Sequence, residues 1–172
     1  IVPEAAIKAM GATVQNAIAH YGELGDQAEL ARAMRLRWIF VLLFGLWGRR
    51  AEICSLRMND FQQVHDGWEV RVQRKGGRQE RIPVSEFVLA GLQTYRISLG
   101  LSALPSSADG LPAVLPLQHK GQRERAQNLS EETLYQEVRR LAFETAAHIR
   151  AGHSLPEVTD DSRAYILDQL SR

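Results

Sequence analysis

Apolar positions recur first at helical spacing. Ile7, Met10, Val14, Ile18 and Tyr21 fall on one face, after Val2-Pro3-Glu4, where a Pro and an acid suit a first turn. Gly22 and Gly25 predict the end of this helix. Asp26 predicts the cap of a second, whose stripe of Leu30, Met34, Trp38, Val41 and Leu42 broadens into apolar residues on every side, as in a helix buried on most of its faces. Gly45 and Gly48 interrupt it, and a short third helix is predicted from Arg49 to Leu56. The period then changes to alternation. Apolar and charged residues alternate in Trp68-Glu69-Val70-Arg71-Val72, and Gly76-Gly77 separates this run from Arg81-Ile82-Pro83-Val84, which predicts a hairpin with a basic tip. Ser85 and Glu86 open another helix, with Val88, Leu92, Tyr95 and Leu99 on one face. Leu104 to Pro116, rich in Ser, Pro and Gly, predicts a long loop. Ser130-Glu131-Glu132 starts a helix with Leu134, Val138, Leu141, Thr145 and Ile149 inward, and Asp160-Asp161-Ser162 caps a last one through Ile166 and Leu170. The predicted class is mainly α with a small antiparallel β-hairpin or sheet, without repeats or heptads.

Composition adds bounds. The 172 residues are 45% hydrophobic, which excludes disorder of the whole chain and fits one domain able to bury a core without disulfides. Cys54 is the single cysteine, which excludes a disulfide framework and a Cys-rich zinc site and fits a reducing, cytoplasmic setting. The longest apolar run, Trp38 to Trp47, is ten residues, too short for a bilayer, and lacks the flank of a signal peptide. A soluble chain without a membrane partner is expected. It opens at Ile1 without an initiator Met, which suggests a piece of a longer protein.

A net charge of +1 conceals strong local imbalance. Ile1 to Ala31 carries one Lys against four acids, whereas Arg32 to Arg57 carries six Arg against Glu52, and Arg71 to Arg81 carries five cations against Glu80. His119 to Arg125 adds Lys120, Arg123 and Arg125 against Glu124. Basic blocks in an acidic frame point to a polyanion partner such as nucleic acid, although solvated arginine-rich faces give the same pattern. Within these blocks, Arg49 follows a buried helix and Lys75 lies on the hairpin tip. A guanidinium offers forked, permanently charged donors for two non-bridging phosphate oxygens, and a Lys delivers one transferable proton. Arg to hold and Lys to protonate is an arrangement for phosphoryl transfer.

The run Phe44-Gly45-Leu46-Trp47-Gly48-Arg49-Arg50-Ala51-Glu52-Ile53-Cys54-Ser55-Leu56, then Asp60, then the hairpin Glu69 to Val84 resembles the catalytic domain of the tyrosine recombinases, the phage-integrase family. The family's first motif reads Gly-Leu-Arg-x-x-Glu-Leu, and its hairpin carries Gly-Lys-Gly. The resemblance implies the DNA breaking-rejoining fold, cut off before its C-terminal helices. It implies site-specific DNA recombination or integration by transesterification, without metal, ATP or other cofactor, on double-stranded DNA. It also implies a bacterial or phage origin and a parent protein that works as a homotetramer on paired sites. It makes Arg49 the clamp on the scissile phosphate, Lys75 the acid that protonates the leaving 5′ oxygen, and Glu52 the buried support of the Arg-bearing turn. Arg50 competes for the clamp, but the Arg-x-x-Glu spacing selects Arg49. Arg50, Arg74 and Arg78 are then expected on the DNA backbone. Trp47-Gly48 stands where the family has Gly-Leu, and Arg74 where it has Gly before the Lys.

The family's second half is harder to find. No His-x-x-Arg box occurs, because His148-Ile149-Arg150 has one residue too few and His153 has no Arg three positions later. The simplest expectation is that Leu134 to Ile149 is a core helix and that the chain stops before the box, inactive alone. A competing reading takes Arg139 or Arg140 as the second clamp Arg, His153 as the late His and Tyr165 as nucleophile. Against it, the interval from His153 to Tyr165 exceeds the family's, and the helix after Leu129-Ser130 matches better the one preceding the box. A non-catalytic binder of DNA backbone, or a remnant integrase, is the alternative function; a helical interaction domain is a third. His20, His65 and His119 lack metal-ligand spacing, while Trp38, Trp47, Tyr95 and Tyr135 are expected in packing roles.

Overall fold

The computed structural model describes residues 3–46, 48–117, 126–153, 155 and 158–171. It is mainly helical with a three-stranded antiparallel sheet, and it divides into two compact units, Ile1–Arg37 with Tyr135–Arg172, and Trp38–Leu134. The sequence predicted one domain. Helix α2 (Gln27–Gly45) and helix α5 (Glu131–Arg150) each run through a boundary between the units.

In the first unit, α1 (Glu4–Leu24) follows Pro3, and its chain reverses at Gly25, whose φ of 68° is a left-handed conformation that glycine adopts without strain. Asp26 then accepts the backbone N–H of Glu29 at 3.1 Å, the cap predicted for α2. The buried face of α1 is set by Ala6, Ala9, Met10, Thr13 and Val14, whereas Ile7, Ile18 and Tyr21 of the predicted stripe are only half-buried. The buried face is therefore centred on small side chains rather than on the larger apolar ones. Thr13 donates to the Ala9 carbonyl at 3.0 Å and is hydrogen-bonded to Thr145 of α5 at 3.0 Å, so both buried hydroxyls are satisfied. Leu141, Ala146 and Ile149 of α5 are buried, as are Ile166 and Leu170 of α6 (Asp160–Leu170). Thr159 caps α6 by accepting from the Ser162 N–H at 3.3 Å. Tyr135, expected in a packing role, is 40% exposed, and the buried Arg35 donates to Glu137 at 2.6 Å.

In the second unit, the end of α2 is a core helix, with Trp38, Ile39, Val41 and Leu42 buried. Trp38 stacks on Tyr95 of α4 (Glu86–Ser98) with ring centroids 6.0 Å apart, and its indole N–H donates to the Ala113 carbonyl at 2.8 Å. Glycines set how closely these helices pack: a Cβ on Gly91 would lie 2.8 Å from Val41, and one on Gly45 2.5 Å from Val88. Ser85 caps α4, and Val88, Leu92 and Tyr95 are buried as predicted, with Arg96 buried beside them and held by Asp109 at 2.6 Å. The segment 104–116 contains no helix or strand, yet Ala113, Val114 and Leu115 are buried. It is pinned by Met58 N–H to the Leu111 carbonyl, Ala113 N–H to the Leu56 carbonyl and Leu115 N–H to the Tyr95 hydroxyl. An irregular segment with its backbone paired in this way packs like an element.

After α3 (Arg50–Ser55), a single 3-10 turn, Met58–Asp60, leads into β1 (Phe61–Val64), β2 (Gly67–Gln73) and β3 (Gln79–Pro83), ordered β1-β2-β3. The predicted hairpin is β2-β3, with Val70 opposite Ile82 and Gln73 opposite Gln79; β1 adds Phe61 opposite Val70 on the other side. Buried Phe61, Val70 and Val72 form the inner face of the sheet. Arg71 donates twice to Asp60, at 3.0 and 3.2 Å, which ties β2 to the 3-10 turn.

Candidate functional site

Helix α3 starts abruptly because Arg49 is still extended, with φ −72° and ψ 154°, while Arg50 is helical. The exposed N–H of that first turn is satisfied from within: Glu52 Oε2 accepts the Arg49 backbone N–H at 3.0 Å. Glu52 is only 5% exposed, so its carboxylate is a fixed anchor for the turn that carries the Arg49 side chain. The same oxygen accepts from Arg74 Nη1 at 2.6 Å, and Arg74 Nε donates to Glu80 at 2.7 Å. Leu46, Ile53, Leu56, Val72 and Ile82 form the apolar floor around this ion-paired group. Glu52 Oε1 is buried there without a hydrogen-bond partner.

The hairpin tip is built on two left-handed glycines, Gly76 at φ 86° and Gly77 at φ 79°. Arg74 N–H donates to the Arg78 carbonyl at 2.7 Å and Gly77 N–H to the Arg74 carbonyl at 3.2 Å, which closes the tip. Lys75 and Arg78 project from it, exposed. Together Arg49, Glu52, Arg74, Lys75, Arg78 and Glu80 line an open depression of about 480 Å³. Residues 26 positions apart in sequence, Arg49 and Lys75, thus share one surface with four cations facing two carboxylates. Among the described residues, the side chains of Arg49, Lys75 and Arg78 make no hydrogen bond or ion pair.

The charges in this depression perturb one another. The hydrogen bond from Arg74 holds the Glu80 carboxyl below its usual range, with the charges of Arg74 and then Arg78 adding to it. The hydrogen bond to Glu80 raises the pKa of Arg74 further; desolvation opposes it, and the charge and hydrogen bond of Glu52 add to the rise.

Of the site residues predicted from sequence, Arg49, Glu52, Arg74, Lys75 and Arg78 are brought together here, and Arg50 is exposed on the first turn of α3. Arg74, expected on a DNA backbone, has its guanidinium occupied by two carboxylates of its own chain. Arg57 and Arg71, counted in the basic blocks, are likewise engaged, with the Gly110 carbonyl and Asp60. The residues of the competing reading all belong to the other unit. Tyr165 is 57% exposed on α6; Arg140 pairs with Glu144 at 2.8 Å; Arg139 lies over the Phe143 ring; His153 stacks on His148. The sequence reading missed Glu80 as a partner of Arg74. The signal was an acid six positions on, across a five-residue tip, where a hairpin returns the chain. Trp47, His119, Lys120, Arg123 and Arg125 lie outside the described residues.

Among the described residues no group of three His, Cys, Asp or Glu is placed to hold a metal ion, and no helix is long and apolar enough to cross a membrane. No family model matches the chain, and no curated protein matches it.

Proposed function

We propose that this chain is the phosphate-gripping part of a tyrosine-type site-specific recombinase, acting on double-stranded DNA in recombination or integration. The observation that carries this reading is the shared depression, in which Arg49, on a turn anchored by Glu52, faces the same space as Lys75 on the hairpin tip. In the reaction a tyrosine oxygen attacks the scissile phosphorus, a 3′-phosphotyrosyl bond forms, and the bond to the 5′ oxygen breaks. Arg49 holds the non-bridging oxygens as negative charge builds on them, and Lys75 gives its proton to the departing 5′ oxygen. Preorganised cations and positioning provide most of such catalysis. Glu52 acts through the backbone, setting the direction in which Arg49 leaves α3. The finer assignment of the recombinase fold belongs to the same proposal, and so does the tetrameric parent.

The second reading is a DNA-backbone binder without chemistry of its own. It is favoured by the local partners that three residues of the competing reading already have: Arg140 pairs with Glu144, Arg139 lies over the Phe143 ring and His153 stacks on His148. Both readings predict duplex binding that weakens steeply with salt. A nicked duplex that traps covalent protein–DNA adducts separates them. Adducts lost in Tyr165→Phe and in Arg49→Ala support catalysis within this chain; binding without adducts supports the binder or a nucleophile supplied from elsewhere. Absence of any duplex binding at 50 mM salt overturns both.

A further inference from the structure

We propose that Arg74 is a positioning residue, a charged clasp that fixes the Lys75 tip relative to the Arg49 turn. The inference rests on the reading above for its purpose and on the ion pairs for its mechanism. One oxygen, Glu52 Oε2, accepts both the Arg49 backbone N–H at 3.0 Å and Arg74 Nη1 at 2.6 Å, so a single atom joins the start of α3 to the end of β2. The other edge of the guanidinium reaches Glu80 on β3 at 2.7 Å, so the fork spans both strands of the hairpin. Lys75 is the next residue along the chain. Beyond it the backbone runs through two left-handed glycines, which give the tip little stiffness of their own. Anchoring Arg74 therefore anchors the Cα from which the Lys75 side chain starts its search for the 5′ oxygen.

The charge balance favours the same role. Arg74 is offset by Glu52 and Glu80, so it adds no uncompensated positive charge for a polyanion, whereas Lys75 and Arg78 do. Its planar fork can satisfy two carboxylates at once, and a Lys at this position would satisfy one.

The test measures tip mobility and DNA binding separately on the full chain. Hydrogen exchange at the Arg74 and Gly77 amides, which close the tip, is followed without DNA in Arg74→Ala, Arg74→Lys, Glu52→Gln and the Arg74→Ala/Glu52→Gln double variant. Loss of a charge-assisted hydrogen bond should speed exchange about tenfold in Arg74→Ala, less in Arg74→Lys, and no further in the double variant than in the stronger single one. Exchange unchanged in Arg74→Ala overturns the clasp. Binding to a duplex oligonucleotide is then measured across salt concentrations. Arg74→Ala should leave the slope of log affinity against log salt unchanged, while Lys75→Ala and Arg78→Ala should each reduce it by about 1. A slope reduced equally by Arg74→Ala makes Arg74 a phosphate ligand and overturns the proposal. If no variant and no parent chain binds DNA, yet exchange responds as stated, the clasp stands and the recombinase reading fails.

Discussion

In the unit formed by Ile1–Arg37 and Tyr135–Arg172, arginines are met by carboxylates: Arg35 by Glu137 at 2.6 Å, Arg140 by Glu144 at 2.8 Å. A cleft in it, of about 470 Å³, has Arg32 and Arg140 facing Glu29, Glu137 and Glu144. In the unit Trp38–Leu134 the depression at the hairpin holds Arg49, Arg74, Lys75 and Arg78 against Glu52 and Glu80, and both acids are taken by Arg74. The two concavities are similar in volume and opposite in balance. Volume alone therefore says little about a polyanion site; what matters is which cations remain after the internal pairs have formed. Charges removed from the first unit should cost stability, and charges removed from the depression should cost binding.

The largest effect expected is in the first unit. Glu137→Ala leaves the guanidinium of Arg35, whose side chain is 6% exposed, without its partner, and should lower stability by about 3–5 kcal/mol, read from denaturant midpoints at constant m. DNA affinity of the folded fraction should be unchanged. Next comes the combined Arg49→Ala/Lys75→Ala/Arg78→Ala variant. It should reduce the salt slope by about 3 and weaken duplex binding on the order of a hundredfold or more at low salt, with stability within about 0.5 kcal/mol of the parent. If the stability loss appears in the triple variant and the binding loss in Glu137→Ala, the division between the two regions is wrong.

How much of this was visible in the sequence follows from the range of each signal. Alternation around Val70 and the Gly76-Gly77 pair located the hairpin because register and turn chemistry are local. Strand β1 was missed. Phe61-Gln62-Gln63-Val64 is too short and too polar to stand out, though Asp66-Gly67 after it is a turn signal. The stripe on α1 was right at Met10 and Val14 and otherwise shifted, because a hydrophobicity pattern undervalues Ala6, Ala9 and Thr13, which are buried. The burial of Ala113, Val114 and Leu115 was invisible for a related reason: the hydrogen bonds that pin their segment go to Leu56, Met58 and Tyr95, far away in sequence. In the site, Glu52 as the support of the Arg49 turn was what the family resemblance implied, and its bond to the Arg49 backbone N–H spans only three residues. That Arg74 is bound inward and Lys75 is not depends on a pairing 22 residues long, which spacing does not reveal.

The smallest effect tests how far the positive charge of the depression reaches. Cys54 lies on α3, which begins at Arg50, and a field dominated by arginines would lower its pKa. Burial instead raises it, the negative charge of Glu131 raises it further, and Arg50 opposes both without prevailing, leaving the thiol pushed up to about 11. At pH 8 its thiolate fraction, and hence its alkylation by iodoacetamide, should be about a hundredfold below that of an unshifted cysteine. The folded state favours the protonated thiol, so its contribution to stability is fully present below the unfolded pKa and is lost as pH rises toward 11. Glu131→Gln should speed alkylation and Arg50→Ala should slow it, both modestly. Rapid alkylation in the parent chain would mean that the positive field extends well down α3, and that the contrast between the two concavities is broader than their linings show.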